Sequence, residues 1–378
     1  MSDDLSSAAG AQPEKVSPPQ NRTRKRRRKR TRKGRGENIF AALDLGTNNC
    51  RLLVAKPAGE HFRVIDSYSR VVRLGSGLST TGRLSDESMS AAIEAIGVCA
   101  SKMKSKKVTR WRCVATQACR QADNGQDFLK RVKVQTGINL EIISPRVEAR
   151  LSVMGCLNLA DTRKDVALVV DIGGGSTELS WVDLRRLRTP GGGRRVHRPP
   201  ISAWASLPVG VVTLSEQIPE HDDKVTWYAD LKQAVVDAIH QAGCETRFTK
   251  TFEDGKGHLI GTSGTITSLA SVHLKLPYYQ RNKVDGLWMP SDEAIAIARR
   301  MSQSSVEDRA REPSIGEDRA ALLVAGCAIM DVLCEMWPSQ RIRVADRGLR
   351  EGMLIGLMQQ SRISSKPSVS THNGGDVL

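Results

Sequence analysis

The feature that most constrains this sequence is that it opens the same way twice. An apolar run over residues 39–45 stops at Asp44-Leu45-Gly46-Thr47-Asn48, and a second apolar run, residues 51–55, follows directly. Far downstream, the continuous apolar run 166–170 ends at Asp171-Ile172-Gly173-Gly174-Gly175-Ser176-Thr177, and residues 178–182 return. Each copy is a β-run ending in Asp, a glycine turn carrying a hydroxyl, and a second β-run, which is the signature of an internal duplication. The interval between them is about the length of one small domain. The duplication predicts two α/β domains, each opening with a hairpin.

Local patterns fill in the two units. Residues 62–72 alternate as a strand. Residues 86–103 carry apolar side chains at helical spacing behind a Ser85 cap. A strand at 108–116, a helix around 126–136, a strand at 140–144 and a helix from 147 to about 159 complete the first unit. In the second, residues 185–200 hold Gly191-Gly192-Gly193 and six arginines and read as an inserted basic loop. Helices are expected at 224–242, after the Gly261-Thr262-Ser263-Gly264-Thr265 turn to about 274, at 291–301 and at 317–337. The last strand, 342–345, leads through Asp346-Arg347-Gly348 into a helix over 349–358. The resulting division is 1–37, a basic tail; 38–160 and 161–345, the two domains; 346–362, a terminal helix returning towards the first domain; and 363–378, a polar disordered tail.

Bulk properties exclude several classes. The 39% hydrophobic and 26% charged fractions are those of a soluble globular chain, and no run of about eighteen apolar residues could cross a bilayer. The polar, Pro/Ser-rich start does not read as a secretory signal. Eight cysteines lie mostly in apolar stretches without a C-x-x-C pair, as buried free thiols do in a reducing compartment. A cytoplasmic location follows as the expectation. The net charge of +16 is largely local, because eleven basic residues lie between Arg22 and Arg35 and the remainder carries about +5. Such a block cannot bury enough apolar surface to fold. It reads either as an arm that captures polyanions electrostatically or as a solubilising tail.

A strand ending in Asp before a Gly/Ser/Thr turn suits phosphate. Glycine lets the backbone approach, its N–H groups form an anion nest, the hydroxyl adds a donor, and the Asp can hold a metal or a water. Two such turns at equivalent points of repeated units can face each other across a cleft and grip one phosphate chain from both sides.

These turns resemble the paired phosphate loops of the actin, sugar-kinase and heat-shock chaperone ATPase superfamily. More narrowly, the chain resembles the exopolyphosphatase and guanosine pentaphosphate phosphohydrolase (Ppx/GppA) family. The further pieces are Ala115-Thr116-Gln117-Ala118-Cys119-Arg120-Gln121-Ala122-Asp123-Asn124, Ile142-Ile143-Ser144 followed by Glu148-Ala149-Arg150-Leu151, Gly261-Thr262-Ser263-Gly264-Thr265, and Asp346-Arg347-Gly348-Leu349-Arg350-Glu351-Gly352, in the family's order over about 39–360. The resemblance implies two duplicated actin-like (ribonuclease H-like) domains with the active site in the cleft between them. It implies that Glu148 is the catalytic base for an attacking water and that Arg120 contacts the phosphates. Asp44, Asp171 and Glu178 would hold a catalytic Mg2+. Gly46, Thr47, Asn48, Gly173, Gly174, Gly175, Ser176, Thr177, Gly261, Ser263 and Gly264 would bind phosphate.

The reaction so implied is release of the terminal phosphate of a phosphoanhydride chain to water, without a covalent enzyme intermediate. Inorganic polyphosphate is favoured as substrate, because the tail and the Arg-rich insertion could both attract an extended polyanion. Guanosine pentaphosphate offers the same terminal anhydride and stays the alternative. A kinase of the same superfamily, and a nucleic-acid or regulatory binding protein resting on the arginine tail, are the competing classes. Besides its substrate and a polyanion at the tail, the partners left open include a second copy in a homodimer; no membrane is expected. Val147-Glu148 stands where the family commonly shows two glutamates. The histidines are scattered, and the chain resembles the short, two-domain members that lack the additional C-terminal helical domain.

Overall fold

Each Asp-ended run closes a β-hairpin through its glycine turn. In the computed structural model, which describes residues 38–59, 61–188 and 198–364, β1 (Phe40–Leu45) pairs antiparallel with β2 (Asn49–Ala58), and β2 with β3 (His61–Val71). The expectations for the basic tail, for most of the 185–200 loop and for the last residues of the chain lie outside the described residues. β4 (Arg110–Ala115) and the short β5 (Glu141–Ile142) then add in parallel, giving the order β3-β2-β1-β4-β5. The second half repeats this plan. β6 (Val166–Ile172), β7 (Thr177–Asp183) and β8 (Ile201–Leu207) form the antiparallel trio; β9 (Gly257–Thr262) and β11 (Arg341–Ala345) run parallel, and β10 (Trp288–Pro290) pairs antiparallel at the edge. Its order, β10-β11-β9-β6-β7-β8, is that of the first half with one strand added. Two copies of this meander-then-parallel arrangement are the ribonuclease H-like domains of an actin-like fold.

The helices of the first half are α1 (Leu78–Thr81), α2 (Asp86–Ser105), α3 (Gln117–Gln121), α4 (Gly125–Thr136) and α5 (Pro145–Cys156). Those of the second are α6 (Val211–Gln217), α7 (Lys224–Gln241), α8 (Thr249–Glu253), α9 (Ser263–His273), α10 (Arg281–Val284), α11 (Ser291–Gln303), α12 (Val306–Arg311), α13 (Glu317–Met336) and the terminal α14 (Leu349–Ser364). Local chemistry sets the starts that matter for the site. Ser85 caps α2 by accepting the Ser88 N–H at 3.2 Å. Ser144 caps α5, with Pro145 in the first turn, where its missing N–H costs nothing.

Alternation along β1 sends Ala41, Leu43 and Leu45 to a core with α2 and α4, and Phe40 and Ala42 to a second core with Leu349, Met353, Leu354 and Met358 of α14. α5 lies between the two sheets, contributing Leu151 to the first half's cluster and Val153 and Cys156 to one built on Ala167, Val169 and Ile260. The helix bearing Glu148 is thereby packed against both halves.

Several details depart from the sequence reading, which also gave no element at β10 or at the short helices α1, α3, α8, α10 and α12. The strand expected at 140–144 shrinks to Glu141–Ile142 because Ser144 already serves α5 as its cap. β8 and α6 were not anticipated; their residues follow the Arg-rich loop and show a mixed burial pattern, which weakens any periodic signal. α14 runs to Ser364, two residues beyond the boundary set from composition. All eight cysteines are buried and free, and no helix among the described residues is long and apolar enough to cross a membrane.

Candidate active site

The two glycine turns touch. A Cβ on Gly174 would lie 2.9 Å from Thr47 Cβ, and one on Gly175 would lie 1.9 Å from Gln117 Oε1 and 2.9 Å from Thr47 Oγ1. Neither glycine has a positive φ, so close approach of backbones, not left-handed geometry, excludes a side chain there. Each turn is closed by its own backbone: Gly46 N–H donates to Asn49 O and Gly173 N–H to Ser176 O, both at 2.9 Å. The start of α6 braces the second turn, with Val211 and Val212 N–H groups donating to the carbonyls of Gly173 and Gly174 at 3.0 and 2.7 Å.

Around this junction lies a cavity of about 520 Å³. Of the residues predicted from the sequence, Asp44, Gly46, Thr47, Asn48, Glu148, Asp171, Gly173, Gly174, Gly175, Ser176, Ser263 and Gly264 line it. Thr177 and Gly261 do not. The Thr177 side chain is wholly buried and donates to Val209 O at 2.7 Å, so it anchors the turn rather than facing a ligand. Gly261 is interior to β9, where a Cβ would meet Ile266 Cγ1 at 2.8 Å; its role is packing. Arg120 is also absent from the lining. Its Nη1 donates to Ile143 O at 2.6 Å and to Glu148 Oε2 at 3.2 Å, tying it to the expected base.

Strand register explains an asymmetry between the two copies. Directly opposed residues of an antiparallel pair share a face. Asp44 is opposed by Arg51, whereas Asp171 is opposed by Glu178. The first copy is charge-balanced; the second sets two carboxylates side by side. Burial, then the charge of Asp171, pushes Glu178 up to about 7, although its Oε1 accepts the hydroxyls of Ser176 at 2.8 Å and Ser206 at 3.0 Å. Glu148 is likewise held well above the ordinary carboxylate range, first by burial and then by Glu178, with Arg120 opposing. Burial raises Asp44 to about 6 against the pull of Arg51 and Arg350, and its Oδ1 has no hydrogen-bond partner.

These carboxylates were expected to hold magnesium. Among the described residues there is no group of three or more His, Cys, Asp or Glu side chains placed to hold a metal, so Asp44, Asp171 and Glu178 are not a ready-made cage. Asp44 and Asp171 border the cavity, while Glu178, opposed to Asp171 across the strands, is outside the lining. Mg2+ commonly takes one or two carboxylates and completes its shell with water and phosphate oxygens. The unpaired Asp44 oxygen and the facing Asp171–Glu178 pair fit such a cation.

Sequence reasoning passed over Arg51, Gln117, Arg319 and Arg350, all of which line the cavity. For Arg51 the signal was present: it follows Asp44 by the same seven residues that separate Glu178 from Asp171.

Two ribonuclease H-like halves that meet at paired glycine turns over buried carboxylates define a protein of the actin-like class. Within that class the chain belongs to the Ppx/GppA phosphatase family, whose model matches residues 53–361. The crystal structure of the Aquifex aeolicus family member is similar at 25% identity and a TM-score of 0.67, covering 86% of this chain and 98% of that one. A type II variant of the Aquifex aeolicus Ppx/GppA phosphatase is 26% identical with a TM-score of 0.62, covering 85% and 99%. An exopolyphosphatase from Cytophaga hutchinsonii ATCC 33406 shares the fold at 21% identity and a TM-score of 0.73, covering 85% and 98%.

Proposed function

We propose that this family member is an exopolyphosphatase, releasing orthophosphate from the end of inorganic polyphosphate by attack of water. The observation that carries the reading is the direct contact of the two glycine turns beside a buried glutamate in one cavity. Two turns in contact at one cavity can hold consecutive phosphates of one chain, which a single turn cannot. With all eight cysteines free and buried, a reducing cytoplasm suits the chain.

Each residue then has a task. Glu148 takes the proton from the attacking water, and its raised proton affinity matches that task. Arg120, bonded to Glu148, orients the carboxylate and offsets its charge. The turn amides, with Thr47 and Arg319 in the cavity wall, stabilise charge spread over the phosphoryl oxygens. Asp44 and Asp171 would hold Mg2+, backed by Glu178; when bound, the ion supplies positive charge against the phosphate oxygens.

Phosphate release from polyphosphate and from guanosine pentaphosphate, run in parallel with magnesium and with chelator, tests the reading. Turnover of polyphosphate that chelator abolishes is expected. Guanosine pentaphosphate as the only substrate would overturn the assignment. Glu148→Gln should lower kcat by about 10²–10⁴-fold with the fold intact by circular dichroism. Near-normal turnover in that variant would remove Glu148 from the role of base.

A further inference from the structure

Asp171 is held from two sides by hydroxyls of separate helices. Its Oδ2 accepts the Ser152 hydroxyl, and its Oδ1 accepts the Ser263 hydroxyl at 2.5 Å. Each carboxylate oxygen has two lone-pair sites, so both remain able to meet a partner on the cavity side. Ser152 is 1% exposed and lies four residues after Glu148 on α5, on the same side of the helix. A serine in a helix interior commonly returns its hydroxyl to the backbone one turn earlier, as Ser90 does to Asp86 O at 2.7 Å and Ser271 to Thr267 O at 2.8 Å. Ser152 instead reaches out of its helix to Asp171. Ser263 has a φ of 77°, a left-handed conformation that disfavours a Cβ. Glycine would suit that backbone better, but glycine has no hydroxyl.

We propose that Ser152 and Ser263 are positioning residues that clamp the Asp171 carboxylate in fixed relation to Glu148, an inference that rests on the function proposed above. Ser152 links the helix carrying the base to the strand carrying Asp171, so base and ion-holding carboxylate keep their spacing. Ser263 accepts a strained backbone in order to fix the second oxygen. Strain of this kind, maintained by surrounding structure, is a recurring feature of functional sites. Ser263 therefore acts on phosphate through Asp171.

The test compares the full chain with Ser152→Ala and Ser263→Gly in three measurements. Mn2+ affinity is read without substrate by electron paramagnetic resonance, kcat and KM on polyphosphate, and unfolding in urea. Both variants should bind Mn2+ about 10–100-fold more weakly, the usual consequence of removing a partner that orients a ligand. In both, kcat should fall by about the same factor. KM should change by less than about twofold, because the phosphate-gripping turns are untouched. Ser263→Gly should also unfold at higher urea, since strain is released as function is lost. Mn2+ affinity and kcat within about twofold of wild type in both variants would overturn the clamp. So would a fall in stability with unchanged affinity, or a wild-type chain that binds no Mn2+. If the wild type hydrolyses neither candidate substrate, the proposed function fails while the Mn2+ comparison still decides the clamp.

Discussion

His258, on β9, shows how one side chain can set a pH limit on the whole chain. It is 2% exposed, its Nε2 accepts the Asp161 N–H at 3.2 Å, and its ring packs edge-on against Trp288 with centroids 5.5 Å apart. That acceptance places the ring proton on Nδ1, 3.3 Å from Leu259 O. Burial lowers its pKa from 6.5 to about 4. Above pH 6.5 the imidazole is neutral in both folded and unfolded chains and stability does not depend on it. Below 6.5 the unfolded chain takes the proton and the folded one does not, so stability falls until the folded group titrates near 4. The interval corresponds to about 3 kcal/mol. His258→Gln keeps an acceptor for the Asp161 N–H but cannot titrate. Its urea midpoint should fall less between pH 7.5 and 4.5 than that of the wild type. Parallel pH profiles for the two would show that burial does not hold the imidazole neutral.

Among elements, the pairing of α5 with α14 is the contact on which the site depends, because α5 carries Glu148 and Ser152. Two glycines make it close. A Cβ on Gly155 would lie 2.1 Å from Gly348 O, and one on Gly352 would lie 2.0 Å from Leu151 O. In both cases the obstacle is backbone, so relief requires displacing a helix rather than turning a side chain. Gly155→Ala and Gly352→Ala should each destabilise the fold by about 1–3 kcal/mol in urea titrations and lower kcat together with stability. Gly356, also on α14, has nothing within 4 Å of its Cβ position. Gly356→Ala should be neutral or stabilise by up to about 1 kcal/mol. Equal behaviour of all three would refute the close-packing account.

Across the whole molecule, the two halves are fastened beside the turns by Glu216 of α6. One oxygen accepts Gly77 N–H at 2.9 Å and the other accepts the Ser79 hydroxyl at 2.6 Å, both from the first half. Arg73 and Asp318 add an exposed ion pair at 3.5 Å, which contributes little by itself. The Glu216 fastening is small beside the α5 and α14 interfaces, so it bears on opening of the cleft more than on folding. Glu216→Ala should speed amide exchange in residues 75–82 and 210–217 while lowering the unfolding free energy from urea titration by no more than about 1–2 kcal/mol. Unchanged exchange in both segments would show that the contact does not restrain the halves.

How much of this was written locally differs from one feature to the next. The duplicated hairpins, the Ser85 and Ser144 caps and the two glycine turns were legible because each depends on residues within one turn or strand of one another, where spacing and backbone preference decide. Most of the residues named for the site do border one cavity, including Glu148, Asp44 and Asp171. Thr177 and Gly261 share the composition of their neighbours but face Val209 and Ile266, which no local pattern reveals. Arg120 proved to be engaged with Glu148, and Arg319 and Arg350 enter the cavity from segments remote in sequence from both turns. By itself the sequence determined which segments pair as hairpins and where chemistry-bearing turns occur, since backbone sterics and alternation act over a few residues. Which carboxylate meets an arginine, which meets another carboxylate, and which hydroxyls hold Asp171 were decided only when packing of α5 and α14 brought the two halves together, because charge and hydrogen bonding act between neighbours in space.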